Sequence, residues 1–209
     1  MELIDYSLFV GKKNLFKDVN IEFQNGIVSH LLGGNGVGKS SFAKSMIGMI
    51  SYDGEVKCDK NICVIGSYTN IPNDLTIRDL MLVIKDLKNT EQFNEIFDLL
   101  NIKDIDKNLK LSKMSDGQKQ KIKLLFFLSK KPNVVILDEF TSSLDKKSML
   151  DIYKFINKFI ELKNVLIINI THNLLDIEYI QGNYYYVSNN KITQYKDKES
   201  LIKDYTNLI

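Results

Sequence analysis

Eight residues carry the densest chemistry of this 209-residue chain: Gly33-Gly34-Asn35-Gly36-Val37-Gly38-Lys39-Ser40. Their spacing is G-x-x-x-x-G-K-S. Glycines let backbone N–H groups wrap closely around an anion, and a helix starting at the end of the loop adds unpaired donors and a positive dipole end. A lysine and a hydroxyl at that point suit a polyphosphate with a divalent cation. Lys39 is expected to reach the β- and γ-phosphates, and Ser40 to hold Mg²⁺. The competing reading is a chance glycine-rich turn. Against it stand the apolar run Ile27–Leu32 before the loop and the helical run from Lys39 to about Met49 after it.

Val134-Val135-Ile136-Leu137-Asp138-Glu139 is the second group. Four apolar residues make a buried strand, and two carboxylates follow at its C-terminal end, where ligands bind in open α/β sheets. Asp138 is placed to hold Mg²⁺ through water, and Glu139 to polarise an attacking water. Met114-Ser115-Asp116-Gly117-Gln118 opens a helical segment. It offers a second anion-binding helix start, although Ser115 as an ordinary N-cap explains it as well. Thr171-His172 follows the apolar run Val165–Ile170, which puts a histidine at a strand end where it can meet a γ-phosphate.

The elements that must position these groups alternate between strand and helix. Met1–Phe9 and Val19–Phe23 read as strands, with Phe16 in a turn-like link between them. Asn25-Gly26 predicts a hairpin joining Val19–Phe23 to Ile27–Leu32. Gly54–Val56 and Asn61–Ile65 read as further strands. From Thr76 to about Leu100 the apolar residues Leu80, Val83, Ile84, Leu87, Phe93, Ile96, Phe97 and Leu100 recur at helical spacing. Asp104–Lys113 is polar and irregular. Helices are expected from about Asp116 to Ser129 and from Ser148 to Leu162. A hairpin around Asn189-Asn190 joins Tyr184–Ser188 to Lys191–Tyr195, and a closing helix starts near Glu199. The whole is α/β with a mostly parallel central sheet.

Composition narrows the classes. Hydrophobic residues make up 44% and charged residues 26%, as in ordinary globular domains. The net charge of +2, with Arg78 the single arginine, argues against a nucleic-acid partner. Cys58 and Cys63 do not have metal-motif spacing, and His30 and His172 are too few for a metal cluster. The first residues do not read as a secretory signal, and no apolar run approaches the 18 or so residues of a membrane helix. Any membrane association therefore has to come through a partner.

These groups, in this order, resemble the ATP-binding cassette (ABC) ATPase domains of membrane transporters. The resemblance runs from about Leu3 to Tyr195. Gly33–Ser41 resembles Walker A, Val134–Glu139 Walker B, Ser115–Gln118 the signature sequence, Ser143-Leu144-Asp145 the D-loop, and His172 the switch histidine. The implied fold is a P-loop NTPase core with a parallel sheet, an antiparallel β subdomain and a short helical subdomain. Residues 1–209 would form a single domain, with the helical subdomain at about 76–130. The implied cofactors are ATP and Mg²⁺. Glu139 would be the catalytic base and His172 the γ-phosphate contact. Ser115, Gly117, Gln118 and Asp145 would face the ATP of a second ABC subunit, homo- or heterodimeric. Separate transmembrane subunits would be driven by hydrolysis.

Four departures from the family pattern stand out. Asp116 replaces the first signature glycine, and Phe140 replaces the usual proline. The loop after Asn61–Ile65 holds no glutamine, leaving Asn70 as its nearest metal-facing substitute. The adenine-stacking aromatic aligns with Val10, beside Phe9, with Phe16 a more remote substitute. Two other readings compete: a non-transport ABC ATPase, such as the Fe–S cluster assembly type, and a low-turnover nucleotide-dependent regulator.

Overall fold

The computed structural model describes residues 1–58, 61–84, 86 and 90–207. In chain order its elements begin with β1 (Glu2–Val10), β2 (Lys13–Glu22), β3 (Val28–Gly33), α1 (Lys39–Met46), β4 (Asp53–Lys57) and β5 (Ile62–Ile65). Three helices follow: α2 (Ile77–Val83), α3 (Glu91–Leu99) and α4 (Asp116–Leu128). Then come β6 (Val134–Asp138), α5 (Lys146–Leu162), β7 (Leu166–Ile170), α6 (Leu174–Tyr179), β8 (Gly182–Ser188), β9 (Lys191–Tyr195) and α7 (Lys198–Asn207).

The strands form two sheets. One is antiparallel, in the order β2-β1-β4; the other has six strands, in the order β5-β6-β7-β3-β8-β9. The first five strands of the larger sheet run parallel, and β9 closes its edge antiparallel to β8. The apolar runs of its central strands are continuous because both faces are covered. Val134, Ile136, Leu166 and Ile168 pack with Leu31 and Phe42 toward the smaller sheet. Val135, Leu137 and Ile167 pack with Ile152, Phe155, Ile156 and Phe159 of α5 on the other side. The C-terminal ends of β3 and β6 and the residue after β7 therefore bring Gly33, Asp138 and Thr171 to one end of the sheet.

Two expectations are corrected. Asn25-Gly26 does turn, with Gly26 at φ 74°, but it makes no hairpin. β2 pairs with β1, while β3 lies between β7 and β8. Every residue of β3 is buried, so it needs a layer on both faces, which a two-stranded ribbon does not supply. The Gly26 N–H donates to the Val165 carbonyl at 3.1 Å, and the turn carries the chain from one sheet to the other. Phe16 is not in a link; it lies within β2, fully buried against Tyr6 and Phe42.

The described residues of the stretch expected to be helical, Thr76 to Leu100, hold two helices. Thr76 caps α2 in a capping box with Asp79, and Thr90 caps a fresh start at α3. Leu87, expected on the apolar stripe, lies outside the described residues. Two short 3₁₀ turns, at Ile102–Asp104 and Leu111–Lys113, bracket the stretch expected to be irregular. The six-residue α6 had no counterpart in the sequence reading.

Candidate active site

The phosphate loop is built as its glycine spacing demands. Gly36 and Gly38 have φ of 74° and 111°, where a side chain would be strained. Gly38 is also crowded, since a Cβ there would come within 2.9 Å of the Leu15 Cβ. Lys39, at the start of α1, folds back over the loop. Its Nζ donates to the carbonyls of Gly33 at 2.8 Å and Gly34 at 2.9 Å. Burial pushes the Lys39 pKa down, against the charges of Glu139 and Asp138, which raise it. A phosphate group would replace two neutral carbonyl partners with charged oxygens, a stronger hydrogen-bonding match.

Asp138 ends β6 within reach of that loop. Its Oδ1 accepts the Ser40 hydroxyl at 3.1 Å. Burial raises the Asp138 pKa, and the Ser40 hydrogen bond works against that rise. A hydroxyl beside a buried carboxylate is hard-oxygen donor chemistry, suited to Mg²⁺. Glu139 leaves the strand in the left-handed region, at φ 50°, and its N–H donates to the Ile170 carbonyl at 2.9 Å. The kink turns its carboxylate to His172, whose Nδ1 lies 3.3 Å from Glu139 Oε1. Val10, Asn35, Lys39, Ser40, Ser41 and Glu139 line one cavity. Lys13 joins them, donating its ammonium to the Gly36 carbonyl at 2.9 Å.

The remaining predicted residues fall into two groups. Val10 reaches that cavity; Phe9, its half-exposed neighbour, is not among the lining residues, and Phe16 is fully buried. Asn70 lines a second cavity with Asp138 and Glu139, but its amide oxygen is held by the Lys123 ammonium at 3.3 Å. Ser115 and Gln118 make a reciprocal capping box at the start of α4. Asp116 is exposed and pairs with Lys119 at 3.2 Å, so its charge is partly offset. Gly117 packs so tightly on α5 that an added Cβ would run into the Ser148 hydroxyl. Asp145 caps α5 by accepting the Ser148 N–H at 3.0 Å and its hydroxyl at 2.7 Å.

The sequence reading did not single out Lys13, Lys123 or Asp176. Lys123 sits about two turns into α4 and looks like an ordinary helical lysine. Asp176 carried one weak signal, a carboxylate four residues after His172.

A family model described as ABC transporter matches residues 16–142. The chain belongs to the ABC transporter family. It is an ABC ATPase, the ATP-binding and ATP-hydrolysing partner of transmembrane transporter subunits. The probable peptide export ATP-binding protein YydI of Bacillus subtilis (strain 168) is 39% identical over 210 residues, spanning 99% of this chain and 100% of that protein. The energy-coupling factor transporter ATP-binding protein EcfA of Aster yellows witches'-broom phytoplasma (strain AYWB) is 30% identical over 196 residues, spanning 80% of this chain and 68% of that protein.

Solved structures share the ABC ATPase fold. A dimeric ATP-binding cassette in a post-hydrolysis state with ADP and Pi aligns at TM-score 0.77 and 18% identity, covering 93% of this chain and 97% of that one. The cbiO1 protein of Clostridium perfringens, part of the cbiONQ ABC transporter complex, aligns at TM-score 0.81 and 20% identity, covering 98% and 91%. Among the described residues, no helix of this ABC domain is long and apolar enough to cross a membrane.

Proposed function

We propose that this ABC ATPase uses MgATP to close two cassette subunits on each other and so drives export of a peptide through separate transmembrane subunits. The observation that carries the nucleotide chemistry is the Ser40–Asp138 hydrogen bond, with the Glu139–His172 pair beside it. In this reading Gly33–Ser41 cradle the phosphates, and Lys39 neutralises the β- and γ-phosphates. Ser40 and Asp138 would hold Mg²⁺, which when bound would supply charge stabilisation at the phosphoryl oxygens. Glu139 accepts a proton from the attacking water, and His172 contacts the γ-phosphate. Ser115, Gly117, Gln118 and Asp145 face the ATP of the second subunit. Residues 76–130 act as the helical subdomain of a single domain, and the chain sits on the cytoplasmic face of the membrane.

The peptide cargo rests on the end-to-end 39% identity to a protein named for peptide export. The test is reconstitution with the transmembrane partner in vesicles, measuring ATP hydrolysis with and without candidate peptides. Turnover that rises with peptide supports the reading. Hydrolysis stimulated by another cargo, or by none, removes the peptide assignment and leaves the ATPase assignment standing.

A further inference from the structure

Behind the site lies a carboxylate with no cation to match it. Asp176, on α6, is 1% exposed. Among the described residues it has no ion pair with lysine or arginine. Its Oδ1 accepts the hydroxyls of Thr141 at 2.7 Å and Tyr153 at 2.6 Å, and the Asn173 side-chain amide at 3.4 Å. Its Oδ2 accepts the Asn169 side-chain amide at 3.3 Å. That same amide lies 3.3 Å from Nδ1 of the fully buried His30, whose Nε2 donates to the Ile180 carbonyl at 2.9 Å. Burial keeps His30 neutral, with its pKa down to about 4, so it supplies no compensating charge. Taking a lone carboxylate out of water costs several kcal/mol, and here hydrogen bonds alone offset it.

The origin of the donors gives the cluster its meaning. Thr141 lies two residues after Glu139, and Asn173 directly follows His172. Tyr153 comes from α5, the helix capped by Asp145, and Asn169 from β7, the strand that leads to His172. The Glu139–His172 contact is itself weakly held. Its side chains are 40% and 45% exposed, and so exposed a pair adds little to its own geometry. The geometry of the two groups must therefore be set by the backbone beneath them. One buried carboxylate pins that backbone on both sides.

We propose that Asp176 is a positioning residue: through Thr141 and Asn173 it holds the Glu139 and His172 loops in one mutual register. This rests on the roles assigned above to Glu139 and His172. The purely architectural alternative is that Asp176 only stabilises the fold, and the two make different kinetic predictions.

The experiment is a double-mutant cycle on the full chain. Asp176→Asn keeps the volume of the side chain and disturbs its acceptor pattern. Thr141→Val removes one donor on the Glu139 side and serves if Asp176→Asn does not fold. For each variant, turnover, the KM for MgATP and the affinity for a fluorescent ATP analogue are measured. We expect kcat to fall tenfold or more, with KM and analogue affinity within about twofold of wild type. In a His172→Ala background the same substitutions should lower kcat less than twofold further, because one end of the link is already gone. Losses that multiply fully in that background, or an unchanged kcat in the folded single variants, overturn the positioning role and leave the ATPase reading untouched. Wild-type turnover in His172→Ala itself would remove the histidine from the mechanism, and the proposal with it.

Discussion

The Ser40 hydroxyl donates to Asp138 Oδ1 at 3.1 Å, although the two residues are 98 positions apart in the chain. The residue after the phosphate-loop lysine and the last residue of β6 thus meet directly. The oxygen donors proposed for Mg²⁺ are assembled by the fold, so little ordering remains to be done when MgATP arrives.

Lys39→Ala should abolish tight ATP binding. It also leaves the Gly33 and Gly34 carbonyls without their donor, so some stability is lost, about 1–2 kcal/mol. Equilibrium binding of an ATP analogue, read beside a thermal melt, checks both effects. Wild-type affinity in the folded variant would count against the phosphate-loop assignment.

Glu139→Gln should bind MgATP yet hydrolyse it orders of magnitude more slowly, since an amide oxygen is a poor proton acceptor. Unspent ATP should then hold two subunits together. Each bound site adds about 2.7 kcal/mol at 100 times its dissociation constant. Size-exclusion chromatography with and without MgATP reads the association. A monomer in both conditions speaks against a self-sufficient homodimer and for a different partner cassette; undiminished turnover takes Glu139 out of the mechanism.

Val10 shares a cavity with the phosphate loop, and Phe9 does not line it. Val10→Ala should therefore weaken ATP binding by about 1 kcal/mol, from lost apolar burial. Phe9→Ala should leave it within twofold. A larger loss at Phe9 than at Val10 would reverse the assignment of the adenine contact.

Stability should fall on acidification, and His30 should contribute to the fall. Its pKa is about 4 in the folded protein against 6.5 ordinarily, because burial disfavours the charged ring. Between these values the unfolded chain takes up the proton more readily. The stability of neutral His30 is therefore present above pH 6.5 and lost as the pH drops toward 4. From pH 7 to pH 5 the loss is roughly 2 kcal/mol. Urea titrations at both pH values should show a smaller loss for His30→Gln than for wild type. Equal losses would acquit His30.

Much of the site was legible because its signals are local. Gly36 and Gly38 sit in backbone that only glycine adopts readily, and Val134–Leu137 followed by two carboxylates marks a buried strand end by composition alone. What stayed hidden depends on partners distant in the chain. Asn25-Gly26 announces a turn, but nothing nearby says that β3 must be covered on both faces and so joins another sheet. Asp176 reads as an ordinary surface acid, since its burial is decided by Thr141, Tyr153 and Asn169 arriving from elsewhere. Lys123 reads as a solvated helix face until the loop carrying Gly66 and Asn70 folds against it.

The left-handed backbone at Glu139 has an evolutionary corollary. A non-glycine residue there costs roughly 1–2 kcal/mol, and glycine would relieve most of it. The protein therefore holds the residue proposed as its base at the expense of its own melting temperature: a lineage released from the need to hydrolyse ATP could gain robustness by losing this one side chain. Loss of Lys39 offers no such return, because it strands two carbonyls. Among descendants that have stopped turning over ATP, decay should reach position 139 early and spare position 39, leaving chains that still grip nucleotide but no longer spend it.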